Sequence, residues 1–396
     1  MHAIMNNNGM SGSGAKTKSI VVFLLVCLFA SFAMSAYAAD DFADEVKMGK
    51  EAADQVAKES KFIDDPALVT RLETIGSAIA KVTLEKEVPA TYGKSTLAKF
   101  DYSFKIIDDK DVNAFSLPGG FVYVNKGLLD YVQSDDELAG VIAHEVVHAS
   151  HHHIVQLIKA QQRQLLGMAA AVLAGAALGG GGKELGNLAY AINLITIAKM
   201  SSYGQKAEFD ADRTAVAYLA DTGYNPVGML TFMERLARDE IRKPQINYGI
   251  FATHPPSNQR AREIIDEMDK RGLPINRRLV TKYLCVEVKP VEDSKASSIW
   301  VSDTEIVRLA NSAGERAAAR AERIAGMLRN LLLAGARIQD VKIGGGGQYV
   351  VVLGQILLAP TDEDAELAKS SVADVVTSSA NALRKALLKE LLDQGY

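Results

Sequence analysis

The chain has 396 residues, 48% of them apolar and 23% charged, which is enough to bury cores in two or three domains. Its formal net charge is −4 and no basic stripe runs along it, which argues against nucleic acid as a partner. The two cysteines are Cys27 and Cys285; the first lies in a segment read as removed, so no intramolecular disulfide is expected.

Lys16 and Lys18 precede an apolar run from Ile20 to Met34, and Ala36-Tyr37-Ala38 follows. That is the layout of a secretory signal peptide over residues 1–38, cleaved after Ala38. The run is short for a transmembrane helix, so an uncleaved anchor is the lesser alternative. Val46, Ala53, Val56 and Phe62 then outline one amphipathic helical segment, and Leu68, Leu72, Ile75 and Ile79 a second. Alternation at Tyr102, Phe104 and Ile106 predicts a strand over 101–108, and Phe121 to Val124 predicts another after the Pro118-Gly119-Gly120 turn.

Next comes His144-Glu145-Val146-Val147-His148. Residues four apart stack on one helix face, so both imidazoles can address one metal ion, with Glu145 beside a metal-bound water. This is the H-E-x-x-H arrangement of zinc peptidases, with Glu145 as general base and an open coordination position. Asp135, Asp136 and Glu137 mark the N-terminal end of that helix, and a solvated helix carrying two His is the bland alternative. A metzincin would place its third His at position 154, which is Ile154; the alternative third ligand is a glutamate on a later helix. Glu208 and Asp212 lie one turn apart in the segment 201–213; Glu208 could ligate, and Asp212 could orient one of the imidazoles. An exposed acidic helix start is the competing reading of the same residues.

His151, His152 and His153 spread around a helix and cannot all face one metal, so a solvated surface is expected, with a weak second metal site as the alternative. Residues 165–179 are apolar and small, Gly180 to Gly182 follow, and 188–200 is apolar again. These predict a helical hairpin, read as buried core, with peripheral membrane contact through 165–200 or a partner groove as alternatives. Residues 276–396 read as a small α+β accessory domain. Its expected strands are Tyr283–Val288, Ser298–Val301, Tyr349–Leu353 and Gln355–Leu358, with helices over Ala313–Ala334 and Val372–Leu392. It holds no His and no catalytic constellation. Gly344 to Gly347 read as a turn, since no Lys-Ser/Thr pair follows to make a phosphate loop.

Four ordered motifs carry a family resemblance: Asp64-Asp65-Pro66-Ala67-Leu68, Asn113-Ala114-Phe115-Ser116-Leu117-Pro118-Gly119-Gly120, Glu208 to Arg213, and Thr253-His254-Pro255-Pro256 with Arg260. Around the H-E-x-x-H they resemble the HtpX-like and BepA-like gluzincin peptidases, relatives of the CAAX prenyl proteases, over about residues 42–275. The chain departs at Asp210, where many relatives have Glu.

The resemblance implies an α+β, predominantly helical peptidase domain over 42–275 with a small sheet, followed by the accessory domain of 276–396. It implies one Zn²⁺ per chain on His144, His148 and Glu208, with Glu145 as base and Asp212 in support. It places His254 near the active site, as a transition-state or latent-state contact, and gives Asn113, Ala114 and Phe115 to an edge strand that pairs with substrate. At His153 it implies packing rather than ligation. The expected role is a periplasmic, envelope-facing zinc endopeptidase acting on unfolded or misassembled envelope proteins. A chaperone or assembly factor working with the outer-membrane assembly machinery is the alternative.

Overall fold

The computed structural model describes residues 42–94, 99–160, 163, 204–242, 258–281, 284–292, 295–312 and 314–394. The expected signal peptide, the apolar hairpin of 165–200 and His254 lie outside the described residues. The chain divides into two compact units between Leu273 and Pro274.

In the first unit, helix α1 (Phe42–Glu59) is followed by α2 (Pro66–Glu85). Asp65 caps α2 by accepting from the amides of Ala67 and Leu68, and Pro66 supplies a pre-set φ in the first turn. Leu72, Ile75 and Ile79 of α2 are buried, at the i, i+3, i+7 positions that line one helix face. Phe62 is not in a helix; it forms a bridge with Ile107 beyond the end of α1. A three-stranded sheet has the order β1-β3-β2, where β1 is Ser103–Ile107, β2 Ala114–Leu117 and β3 Phe121–Asn125. β1 runs parallel to β3 and β2 antiparallel to it, which leaves β2 as an outer strand. A short helix α3 (Lys126–Tyr131) leads into α4 (Asp135–Ser150). Then come α5 over residues 204–219, α6 (Val227–Arg242) and α7 (Asn258–Lys270).

α4 is the axis of this unit, and every residue from Glu137 to Ser150 is buried. It packs against α6 with backbones nearly touching. A Cβ on Gly140 would lie 2.7 Å from the Met229 Cα, and one on Gly228 would lie 2.3 Å from the Asp136 carbonyl carbon. Glycine at these two positions is therefore what permits the crossing.

The second unit holds two three-stranded antiparallel sheets. One is β4 (Val286–Pro290), β5 (Ser297–Val301) and β6 (Thr304–Leu309); the other is β7 (Val341–Gly344), β8 (Tyr349–Val352) and β9 (Gln355–Leu358). Helices α8 (Ala317–Leu333) and α10 (Val372–Gln394), with the short α9 (Asp362–Leu367) between them, pack an apolar core of Ile299, Leu309, Leu328, Val352 and Leu383. The long helix starts later than its apolar pattern predicts, because Ser312 and Glu315 first form a bridge around Gly314 at φ +79°. The fold is thus α+β and predominantly helical in its first unit, with small sheets, as the sequence leads one to expect. No helix among the described residues is long and apolar enough to cross a membrane.

Candidate metal centre

Ser134 caps α4, its hydroxyl accepting from the Glu137 amide at 3.2 Å, and Asp135, Asp136 and Glu137 fill the first turn, where carboxylates complement the helix dipole. Two turns further on, His144 and His148 present their rings from the same face. Their Nε2 atoms are 3.0 Å apart. From α5, Glu208 completes the group: Oε2 lies 3.3 Å from His144 Nε2, and Oε1 lies 3.4 Å from His148 Nε2. Asp212, one turn on, reaches the back of His144, with Oδ1 3.0 Å from Nδ1.

Arg260 of α7 binds this constellation from behind. It donates to both Asp212 oxygens, Nε and Nη2 each at 2.7 Å, and its Nη1 lies 2.8 Å from Glu208 Oε2. Glu208, Asp212 and Glu145 are all buried around this guanidinium. Burial alone would lower the pKa of His144, but hydrogen bonds and charge from Asp212 and Glu208 raise it to about 9. Burial carries His148 down to about 4 despite Glu208, so the two rings are made unlike by their surroundings.

Three donor atoms, two imidazole nitrogens and a carboxylate oxygen, thus face one another in a buried, electronegative position. That donor set suits a borderline cation such as Zn²⁺, so the residues present fit a metal ion. Glu145 is buried beside them and accepts from the Ser116 hydroxyl at 3.2 Å, which ties β2 to α4. Ser116 lies in the N-A-F-x-x-P-G-G segment, but nothing in the sequence singles it out from its neighbours. Asn113 and Ala114 are buried and Phe115 is half-buried, stacked on Tyr123 of β3 at 5.0 Å between ring centroids.

The reading of His151 to His153 as solvated surface is corrected by the structure. All three are buried, at 2%, 4% and 0% exposure. They do not share a continuous helix: α4 ends at Ser150, His152 takes a left-handed φ of +56°, and helix resumes at His153. That break turns His152 to Glu45 of α1, Nδ1 to Oε2 at 2.6 Å, and turns His151 and His153 towards Asp210 of α5. Asp210, Arg260 and His153 have structural partners here that residue spacing alone could not supply.

The profile described as Peptidase family M48 matches residues 79–268. The chain is 28% identical over 215 residues to the beta-barrel assembly-enhancing protease of Escherichia coli strain K12, covering 53% of this chain and 41% of that protein. It is 32% identical over 176 residues to metalloprotease LoiP of the same strain, covering 43% and 64%. It is 28% identical over 181 residues to the mitochondrial metalloendopeptidase OMA1 of Schizosaccharomyces pombe, covering 45% and 49%. The chain therefore spans about two fifths of the length of the beta-barrel assembly-enhancing protease it matches, and the similarity lies around the centre just described. The matched stretch contains α4, α5 and all but the last two residues of α7, so over residues 79–268 the chain is similar to peptidase family M48.

Proposed function

We propose that the protein is a zinc-dependent endopeptidase with His144, His148 and Glu208 as metal ligands and Glu145 as general base. The observation that carries this reading is the convergence of those three donors within 3.0–3.4 Å of one another, next to a buried glutamate. When bound, the ion would draw charge from the scissile carbonyl and acidify an attacking water. Glu145 takes the proton of that water and delivers it to the leaving amine. Ser116 donates to one Glu145 oxygen and so orients the carboxylate. Asp212 accepts from His144 Nδ1–H and keeps Nε2 as the ligating atom, and Arg260 holds Asp212 in place. The outer strand β2 can take an extended polypeptide by main-chain pairing beside Glu145.

Two expected results test the assignment. Casein cleavage by the purified chain stops on adding a chelator and returns with Zn²⁺; cleavage indifferent to the chelator refutes a metallopeptidase. Glu208→Ala lowers zinc content well below one per chain by elemental analysis, and unchanged occupancy would remove Glu208 from the ligand set.

The lysine-flanked apolar run and Ala36-Tyr37-Ala38 support export to the periplasm. Together with relatives whose names refer to β-barrel assembly, this points to misfolded or mislocalised envelope proteins as substrates. A chaperone or assembly role with minor protease activity is the second reading, favoured by the separate unit after Pro274, which has no catalytic constellation.

A further inference from the structure

We propose that His153, anchored by Asp210, is a positioning residue for His148: it accepts the His148 Nδ1–H and so leaves Nε2 as the lone pair turned to the ion site. The inference rests on the reading of His148 as a metal ligand. His153 Nε2 lies 3.1 Å from the Tyr92 carbonyl oxygen and 3.1 Å from Asp210 Oδ2. Both partners are acceptors, so Nε2 bears the proton, and a neutral imidazole then has only a lone pair at Nδ1. That Nδ1 sits 3.0 Å from His148 Nδ1, which must therefore be the donor. The remaining nitrogen of His148, Nε2, is the one that faces His144 Nε2 and Glu208.

At His144 the corresponding neighbour is a carboxylate, with Asp212 Oδ1 3.0 Å from Nδ1 and Nε2 turned to the same site. The Nε2 atoms of the two rings meet at 3.0 Å, and a cation held between them would displace the proton that the raised pKa places on His144.

Asp210 does not serve as a ligand to a second ion in this scheme. It already accepts from His151 Nδ1 at 2.5 Å, from the Thr91 hydroxyl at 2.8 Å, from His153, and from the Thr91 and Tyr92 amides. A carboxylate with its lone pairs so engaged, facing the N–H of His153, is an anchor rather than an open cation site. The left-handed His152 is what makes the arrangement possible, because it turns the chain so that His153 approaches the α4 ligand from outside the helix.

The test uses the full chain and Zn²⁺ as probe. His153→Phe keeps a ring but has no acceptor; His153→Asn restores an oxygen near the place of Nδ1. Zinc affinity, read by competition with a chromogenic chelator, is expected to fall about 10- to 100-fold in His153→Phe and to recover substantially in His153→Asn. The visible spectrum of the Co²⁺-loaded protein should shift in His153→Phe and return towards wild type in His153→Asn. Wild-type affinity and spectrum in a folded His153→Phe would overturn the proposal. So would a second zinc per wild-type chain that disappears in this variant while the first stays tight. If His153→Phe does not fold, histidine ¹⁵N spectra of zinc-loaded wild type decide: a proton on His148 Nδ1 supports the proposal and one on Nε2 refutes it. A wild type that binds no zinc would instead defeat the peptidase reading itself.

Discussion

Glu145→Gln is expected to leave zinc content at the wild-type level and to lower casein cleavage by about 10²–10⁴-fold, the range general-base catalysis contributes. Glutamine matches glutamate in size and can still accept from the Ser116 hydroxyl, which donates to Glu145 Oε2 at 3.2 Å, so the packing around α4 is preserved. What it loses is the negative charge and the ability to hold a transferred proton. Because Glu145 is not in the donor group of His144, His148 and Glu208, metal binding and turnover should separate cleanly in this variant. The check is metal analysis and cleavage measured on one preparation. Substantial turnover in the metal-loaded variant would remove Glu145 from the base role, and loss of zinc alongside activity would point to a structural effect.

The second large effect is on stability. Arg235→Ala should destabilise the first unit by about 3–5 kcal/mol, because it strands a carboxylate where water cannot reach it. Glu137 is 0% exposed at the start of α4, and Arg235 of α6 grips it with two bonds of 2.7 and 2.6 Å. Thr231 adds a third at 3.0 Å, and the guanidinium also lies 4.6 Å from the centre of the Tyr131 ring. Two turns of helix separate this clamp from His144, so the same contact that stabilises the unit sets the register of His144 and His148. Thermal unfolding of Arg235→Ala, and of Arg235→Met combined with Glu137→Gln, makes the test. The double variant should recover much of the loss, since it leaves no uncompensated charge in the interior. Equal destabilisation in both would mean that packing, rather than the stranded carboxylate, dominates.

Most of the helices and strands were legible from local pattern, for reasons visible in particular residues. Ser134 followed by three acids, then buried apolar positions, defines a capped helix before any tertiary contact is known, and the four-residue spacing of His144 and His148 places both rings on one face. Pro66 behind Asp65 marks the start of α2 equally plainly. Strands β6 and β7 and helices α3, α6, α7 and α9 were not read from the sequence; α3 and α9 are single short turns that take their shape from what they pack against.

By itself, then, the sequence determined the ordered motifs, the helix that carries the two histidines, the α+β class and the lack of histidine after residue 276. Only the tertiary structure decided which later carboxylate faces which nitrogen. Glu208, Asp210 and Asp212 lie within five residues on one helix, yet they turn respectively to the Nε2 atoms of His144 and His148, to the His151–His153 pair and to the back of His144. It also decided that three consecutive histidines are buried, because one left-handed residue at His152 breaks the helix that would have carried them into solvent. Helical periodicity is a local property that a window of residues reveals. The partners of buried polar groups such as Arg260 and His153 lie on segments 48 and 61 residues away, and no local pattern encodes that distance.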